Sequence, residues 1–283
     1  MGHWIEAITL GVVQGLTEFL PISSSAHLDI VPKLIGWHKP GAQFTAVTQL
    51  GTMVAVIVYF RNDTASTLGG MLRSLRPGQD KLSAEARLFY AVIIGTIPIG
   101  VIGLLLRKII ENDLHNLYIN ATMLIVMGLL MGLSERLNNP RRPAGDIQLK
   151  DGIIVGLFQA IALIPGASRS GSTLTGAFFT GLERSAAVRF SFLLSLPAIL
   201  LSGLLQLKDL FKKQEHAFGV DATINWSMAE VAAATVVAGL IGYGCIAWLL
   251  RYLSKTTTAA FVLYRIGLAA VIFFLLNQKI LTP

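Results

Sequence analysis

Charged residues are scarce in this chain of 283 residues. They make up only 14% of it, while 53% of the residues are hydrophobic and the mean hydropathy is +0.64. Soluble domains carry about 25% charged residues, so this composition excludes an ordinary soluble domain. Cysteine is also nearly absent, and the single Cys245 excludes an intrachain disulfide. We expect no cleavable signal peptide, since no basic region precedes the first apolar run.

Long apolar runs recur throughout the chain. A bilayer core of about 30 Å needs about 20 apolar residues in a helix, so the shorter runs predict tilted or packed helices. We therefore expect an all-α polytopic membrane protein with a single membrane domain over residues 1–283. The runs are Phe44–Phe60, Leu88–Leu106, Ile119–Leu133, Phe190–Leu207, Met228–Leu250 and Ala259–Leu276.

The net charge of +7 would suggest a nucleic-acid partner in a soluble protein. Here the basic residues lie mostly between apolar runs. This pattern indicates membrane orientation and contact with anionic membrane lipid, so we expect no nucleic-acid partner.

The two halves of the chain resemble each other in a register of 144 residues. Several matches in one register predict an ancient duplication, with repeat A at about 1–140 and repeat B at about 147–283. The matched pairs are Ser24 with Ser168, Gly95 with Gly239, Gly100 with Gly244 and, after one inserted residue, Gln14 with Gln159.

Basic connections predict the orientation. Arg61–Arg87 and Arg136–Lys150 are both basic and two spans apart, so both are expected on the cytoplasmic side, the first as a solvated loop without a catalytic role. If the repeats are inverted, Lys208–Asn225 lies outside. Residues 151–189 then begin and end inside, and residues 1–42 begin and end outside. We therefore expect inverted-topology repeats, each with one re-entrant helical segment.

Each expected re-entrant segment carries a helix-breaking cluster at its tip. The first reads P-I-S-S-S-A-H at 21–27, and the second reads P-G-A-S-R-S-G at 165–171. Proline lacks an N–H and glycine accepts unusual dihedral angles, so both interrupt helices. Non-helical backbone at membrane depth is permitted only where it lines protein or a watery cavity. The two tips are therefore predicted to meet near the midplane.

The second tip has the chemistry of a phosphate site. Its turn offers backbone N–H groups, hydroxyl donors and a planar cation together. Arginine at membrane depth is costly and mostly faces a cavity or a partner, so we interpret this turn as functional rather than structural. The candidates for binding substrate here are Ser168, Arg169, Ser170 and Thr173.

The first tip supplies acid–base groups. Gln14 and Glu18 are four residues apart and share a helix face. Glu18 is an ionisable group in an apolar run, which favours a functional role over a carboxylate that merely pairs with an arginine. His27 follows Ser23, Ser24 and Ser25, which are hydroxyl candidates for catalysis and substrate binding.

Phosphoryl transfer needs charge neutralisation, a positioned nucleophile and a proton acceptor and donor. Arg169 fits the first role, Ser24 or a water molecule the second, and Glu18 and His27 the third. Glu18 and Gln14 also offer oxygen ligands to Mg²⁺ or Ca²⁺. Because the chain has no acidic cluster, substrate phosphates would have to complete the coordination of such a cation.

At these residues the chain resembles a known family. Q-G-L-T-E-F-L-P-I-S-S-S-x-H at 14–27 and P-G-A-S-R-S-G at 165–171 are similar to the two signature motifs of the undecaprenyl-diphosphate phosphatases of the bacitracin-resistance type. The resemblance runs the whole length and includes F-x-x-x-x-Q-L-G-T at Phe44–Thr52. It implies hydrolysis of undecaprenyl diphosphate, an isoprenoid lipid, to undecaprenyl phosphate and phosphate. It also implies divalent-cation dependence, bacterial plasma-membrane location and an active site open to the periplasmic or outer face.

The resemblance also carries site positions and two departures. Gln14 stands where some members have glutamate, which weakens a mechanism that requires two carboxylates. Ala26 stands where glycine is usual, which implies strain if that position needs φ > 0. By motif position, the residues implied in the site are Gln14, Glu18, Ser23, Ser24, His27, Ser168, Arg169 and Thr173.

A transporter or flippase of an anionic isoprenoid lipid is the main alternative, since inverted repeats with broken helices are a transporter design. Glu18, His27 and Arg169 beside serines favour an enzyme, because a transporter needs no nucleophile–base pair. An enzyme that also moves its product inward stays open, and so does a homodimer. A phosphatase of the acid-phosphatase type is disfavoured, because the surroundings of His27 do not match its two-histidine site.

Overall fold

The structure is a computed structural model that describes residues 3–37, 39–77, 82–112, 114, 116–138, 142–212 and 226–282. Within these residues it contains twelve α-helices and a single 3-10 turn, with no named strand, which confirms the all-α prediction. The helices of the first half are α1 (Trp4–Phe19), α2 (Ser24–Leu34), α3 (Ala42–Tyr59), α4 (Arg61–Ser74), α5 (Ala84–Leu105), α6 (Arg107–Asn112) and α7 (Leu117–Leu137).

The second half contributes five of these helices. They are α8 (Leu149–Ile161), α9 (Arg169–Phe179), α10 (Arg184–Lys212), α11 (Met228–Leu253) and α12 (Ala259–Asn277). Among the described residues, five helices are long and apolar enough to cross a membrane: α5, α7, α11, α12 and the Arg184–Leu201 part of α10. The expected span Phe44–Phe60 falls on α3, which joins α4 at a bend of 76° and counts as a sixth span only if the pair is one span.

The sequence predicts a solvated loop over Arg61–Arg87. Within it, Arg61–Ser74 is not a loop but forms α4, which packs on α5. Asp63 in the first turn and Arg73 in the last turn complement the helix dipole. Residues 78–81 of this connection, and residues 213–225 of the connection Lys208–Asn225, lie outside the described part of the chain.

Close helix contacts join the two halves of the chain. Helix α1 packs along α11, and α8 packs along α5. A Cβ atom added at Gly11 would lie 2.5 Å from the carbonyl oxygen of Ala234, and one at Gly156 would lie 2.6 Å from Cα of Gly95. Small residues at these points let the backbones approach, as is common between membrane helices.

Arg142 ties the start of α8 to the end of α9. Its guanidinium donates to both carboxylate oxygens of Asp151, at 3.0 and 2.6 Å, and to the carbonyl oxygen of Thr180 at 2.8 Å. The hydrogen bonds with Asp151 raise the pKa of Arg142 above its ordinary value. Because one side chain holds both ends, α8 and α9 form a hairpin whose turn lies at the opposite end.

Glu135, near the end of α7, extends this network to two more helices. It accepts a hydrogen bond from Arg184 Nε at 2.5 Å and two from Thr258, from the backbone N–H at 2.8 Å and from the hydroxyl at 2.6 Å. Arg184 begins α10, and Thr258 precedes α12. The ends of α7, α10 and α12 are thus held together by one carboxylate.

Apolar clusters enclose the serine-rich turn between α1 and α2 on two sides. Phe19 and Ile22 belong to one buried cluster with Phe192, while Ala26 and Ile30 belong to another that includes residues of α7 and α12. The polar turn therefore lies inside the helix assembly, where each polar group needs a protein partner or a ligand.

Candidate active site

Two turns of the same design open the helices α2 and α9. Ser23 and Ser168 are the residues before these helices, with φ of 75° and 69°. Each serine hydroxyl accepts a hydrogen bond from a backbone N–H of the helix that follows, from Ala26 at 3.4 Å and from Gly171 at 3.2 Å. Positive φ is uncommon outside glycine and clusters at functional sites.

By backbone conformation, the residue that corresponds to Ser168 is Ser23. The register of 144 aligns Ser24 with Ser168 instead, so the structural correspondence is shifted by one residue. The shifted register also aligns Gln14 with Gln159, and both side chains are fully buried. The positive φ falls on Ser23, and Ala26 lies inside α2 without one, so Ala26 causes no strain of the kind its replacement of glycine suggests.

The two turns are in direct contact. The Ser170 hydroxyl donates to the carbonyl oxygen of Leu20 at 3.1 Å, and the Gly166 N–H donates to the Ser25 hydroxyl at 3.3 Å. Ser170 also lies 3.2 Å from the Ser168 hydroxyl. Two of the expected substrate-binding serines, Ser25 and Ser170, thus hold the turns together in this structure.

Glu18 is the centre of the polar contacts at the first turn. Its Oε2 accepts hydrogen bonds from the Gln14 amide and the Ser24 hydroxyl, both at 2.9 Å, and its Oε1 lies 3.5 Å from Arg169 Nη2. The Glu18 side chain is 5% exposed and that of Arg169 is 20% exposed. A buried carboxylate in this position can accept a proton from the serine hydroxyl. The arginine that it pairs with can leave it to bind an incoming anion.

A small cavity lies against this cluster. Arg169 reaches it from the start of α9, and the Thr173 hydroxyl, one turn further on, donates to the carbonyl oxygen of Arg169 at 2.9 Å. The cavity combines hydroxyls, one carboxylate and one guanidinium with two aromatic rings. It is lined by Glu18, Phe19, Arg169, Ser170, Thr173, Ser191, Phe192 and Ser195.

Ser191 and Ser195 of α10 line this cavity, and the sequence analysis missed both. They are four residues apart in an apolar run, a spacing that places both on one helix face and was the available signal. Ser195 donates to its own helix at the carbonyl of Phe192, whereas the buried Ser191 hydroxyl has no hydrogen-bond partner. An unpaired buried hydroxyl that lines the cavity is available to a ligand.

His27 forms its hydrogen bonds with groups other than Ser24 and Glu18. Its Nδ1 lies 2.7 Å from the carbonyl oxygen of Ser23, and its Nε2 lies 2.7 Å from the hydroxyl of Tyr264 on α12. A carbonyl only accepts hydrogen bonds, so Nδ1 carries the proton and neutral His27 accepts at Nε2. Both ring nitrogens are therefore engaged with groups other than the serine hydroxyls.

Arg265, the residue after Tyr264, is a third residue that the sequence analysis missed. It is fully buried, and its guanidinium donates to five backbone carbonyl oxygens. The available signal was its position as the only charged residue in the run Ala259–Leu276. Together with Arg169 it gives the two turns an excess of positive charge over the one carboxylate of Glu18.

The oxygen donors for a divalent cation are few. The described residues contain no group of three or more His, Cys, Asp or Glu side chains able to hold a metal. The Gln14 amide oxygen is buried without a hydrogen-bond partner, beside the Glu18 carboxylate. One carboxylate and one free amide oxygen fit Mg²⁺ or Ca²⁺ when the other ligands come from substrate phosphates.

Comparison with known proteins places this arrangement in a family. The family model described as bacitracin resistance protein BacA matches residues 7–271. The chain belongs to this BacA family. The match covers both turns and α12 through Val271, and it confirms the resemblance carried by the two motifs.

Individual relatives agree with the BacA assignment. The undecaprenyl-diphosphatase of Myxococcus xanthus is 47% identical over 279 residues, which cover 99% of this chain and 91% of the relative. The undecaprenyl-diphosphatase of Thermobifida fusca is 48% identical over 279 residues, covering 99% and 92%. The undecaprenyl-diphosphatase 2 of Streptomyces coelicolor is 43% identical over 292 residues, covering 99% and 97%. With five helices among the described residues that are long and apolar enough to cross a membrane, and with such relatives, this BacA member is a multi-pass bacterial membrane protein.

Proposed function

We propose that this chain is an integral-membrane lipid pyrophosphatase. It hydrolyses undecaprenyl diphosphate to undecaprenyl phosphate and phosphate, which recycles the lipid carrier of cell-wall synthesis and confers bacitracin resistance. The observation that carries the proposal is the contact of Ser24 with Glu18 at 2.9 Å, with Arg169 at 3.5 Å on the other carboxylate oxygen. Full-length relatives that bear the name undecaprenyl-diphosphatase support the choice of substrate.

Binding begins with the terminal phosphate of the lipid. Arg169 leaves Glu18 and pairs with two phosphate oxygens, a bidentate contact that a guanidinium makes well. The starts of α2 and α9 add backbone N–H groups and the positive ends of two helix dipoles. The hydroxyls of Ser23, Ser168 and Thr173 lie close enough to these starts to complete an oxyanion site.

The chemical step uses the Ser24–Glu18 pair. Ser24 Oγ attacks the terminal phosphorus while Glu18 takes its proton, and the bond from phosphorus to the bridging oxygen breaks. The leaving group is undecaprenyl phosphate, to which Glu18 returns the proton. Water then gives a proton to the same carboxylate and attacks the phosphoseryl phosphorus. The bond from phosphorus to Ser24 Oγ breaks, Glu18 returns the proton to Ser24 Oγ, and phosphate is released. His27 is a poorer base here, because both its ring nitrogens have other partners.

A divalent cation is part of the proposal. Glu18 and the free amide oxygen of Gln14 would hold it together with oxygens of the substrate diphosphate. When bound, it would neutralise charge that develops on the phosphate oxygens.

We also propose inverted repeats, repeat A at about 1–140 and repeat B at about 147–283, with re-entrant segments at about 1–42 and 151–189. The support comes from two repeated features, the matching turns at Ser23 and Ser168 and the packing of α1 on α11 and of α8 on α5. The α8–α9 hairpin closed by Arg142 supports the second re-entrant segment. The basic connections and the family resemblance support a site open to the periplasmic face.

The decisive experiment measures phosphate release from a C55 or C15 isoprenyl diphosphate by purified protein, with and without EDTA. Wild type is expected to release phosphate only with the cation. Glu18→Gln is expected to bind the lipid without turnover, because it keeps the shape but loses the base. Arg169→Ala is expected to lose both lipid binding and phosphate release. Lipid binding without any phosphate release by the wild type would overturn the proposal in favour of a transporter.

Vesicles separate the two functions further. Wild type and Glu18→Gln are reconstituted into liposomes, and the movement of a labelled isoprenyl phosphate between leaflets is followed. An enzyme alone leaves this movement at the level of protein-free vesicles. Movement that persists in Glu18→Gln would indicate a transporter, whose transport does not need the catalytic base.

A further inference from the structure

We propose that Tyr264 and Arg265, neighbours on α12, are positioning residues of this site. Arg265 sets the backbone of both turns, and Tyr264 fixes the imidazole of His27. The inference rests on the proposed function, because it assigns these two residues to the same reaction.

Arg265 connects three segments that are far apart in sequence. Its guanidinium donates to the carbonyl oxygen of Pro21 at 3.2 Å in the first turn, and to those of Gly166 and Ala167 at 3.0 and 2.9 Å in the second. It also donates to Met123 and Leu124 of α7, at 3.3 and 3.0 Å. No carboxylate pairs with it among the described residues, so carbonyl dipoles alone compensate the buried charge.

This contact determines where the peptide groups of the second turn point. Peptide bonds are planar and trans, so a carbonyl of Ala167 directed at Arg265 sends the N–H of Ser168 the opposite way. A Cβ atom added at Gly171 would lie 2.6 Å from Arg265 Nη1, so the first turn of α9 is fitted against the same guanidinium. Arg265 thereby sets the direction in which α9 presents Arg169.

Tyr264 acts on the first turn through His27. Its hydroxyl lies 2.7 Å from His27 Nε2, and the two rings stack with centroids 5.7 Å apart and planes 7° apart. The opposite nitrogen of His27 donates to the carbonyl of Ser23, the residue with positive φ that precedes Ser24. The Ser23 carbonyl sets the tautomer, and the Tyr264 hydroxyl fixes the ring orientation in which Nδ1 meets that carbonyl.

Successive residues of one helix reach both turns because they point in directions about 100° apart. Helix α12 also belongs to the buried cluster that contains Ala26 of α2, Leu124 of α7 and Ala269 of α12 itself. One helix thus supports both the first turn, which carries Ser24, and the second turn, which leads to Arg169. This suits a site that needs accurate geometry.

The first test replaces Tyr264 by phenylalanine. Tyr264→Phe keeps the stacked ring and removes only the hydroxyl, so we expect kcat to fall about 10- to 100-fold with KM and the thermal midpoint nearly unchanged. The matched control is Tyr243→Phe, since Tyr243 lies half-exposed on α11 with its ring against Tyr59. A kcat equal to that of the wild type in Tyr264→Phe would overturn the role of Tyr264.

The second test uses Arg265→Lys. A lysine keeps the charge but cannot reach five carbonyls with one ammonium group. We expect a folded protein with a lower kcat and a similar KM, and wild-type kcat would overturn the role of Arg265. If this variant does not fold, Tyr264→Phe decides the proposal. An inactive wild type would instead count against the proposed function. Failure of the proposed function is therefore distinguishable from failure of the roles of Tyr264 and Arg265.

Discussion

The Ser24 hydroxyl donates to the Glu18 carboxylate at 2.9 Å across the break between α1 and α2. The break is what permits the contact, since Ser24 and Glu18 are six residues apart and would not share a face of a continuous helix. Gln14, one turn before Glu18, donates to the same carboxylate oxygen. The carboxylate is thus oriented from its own helix towards a hydroxyl at the start of the next.

Ser24→Ala tests whether this hydroxyl is the nucleophile. Phosphate release is expected to fall on the order of 10³-fold or more, because the covalent route loses its attacking atom. Ser25→Ala is the control, since Ser25 contacts the N–H of Gly166 rather than Glu18, and we expect it to retain more activity. If Ser24→Ala keeps activity near the wild-type level, a water molecule activated by Glu18 is the nucleophile.

Ser191→Ala tests the unpaired hydroxyl in the cavity wall. A hydrogen bond to a charged phosphate contributes about 1.5–3 kcal/mol, so kcat/KM is expected to fall about 10- to 100-fold. The fold should be no less stable, because the hydroxyl is buried without a partner in the absence of substrate. Ser195→Ala provides the comparison, since that hydroxyl bonds to its own helix. Unchanged kinetics in Ser191→Ala would remove Ser191 from the substrate site.

Gln14→Glu tests the cation site. A second carboxylate beside Glu18 is expected to lower the Mg²⁺ or Ca²⁺ concentration that gives half-maximal phosphate release. The matched change Gln14→Met removes the amide oxygen and is expected to raise that concentration. The measurement is a metal titration after EDTA treatment. Identical midpoints in wild type and both variants would show that Gln14 is not a ligand.

Gly156→Ala tests the close contact of α8 with α5. The added methyl group would meet the backbone of Gly95, with 2.6 Å to its Cα. Overpacking of about 2 kcal/mol is expected to lower the thermal midpoint in detergent by about 4–8 °C. Gly244→Ala is the control on α11, where nothing lies within 4 Å of the added atom. Equal midpoints for the two variants would contradict a tight α5–α8 contact.

Much of the fold and site can be predicted from the sequence. Apolar length and scarce charge indicate the membrane helices, and the clusters at 21–27 and 165–171 indicate the two breaks. The spacing of Gln14 and Glu18 predicts their shared face. These features are local, because helix length, helix breaking and helix faces depend on residues within a few positions of one another.

Other features were decided only by the tertiary structure. One of them is the packing of Arg61–Ser74, as helix α4, against α5. His27 contacts Tyr264, and Arg265 donates to the carbonyls of Pro21 and Gly166. These contacts join residues that are far apart in the sequence. No spacing rule connects residues about 100 to 240 positions apart. Their contact follows from how the apolar helix faces pack, and that packing places the only cation of α12 where the carbonyls of both turns converge.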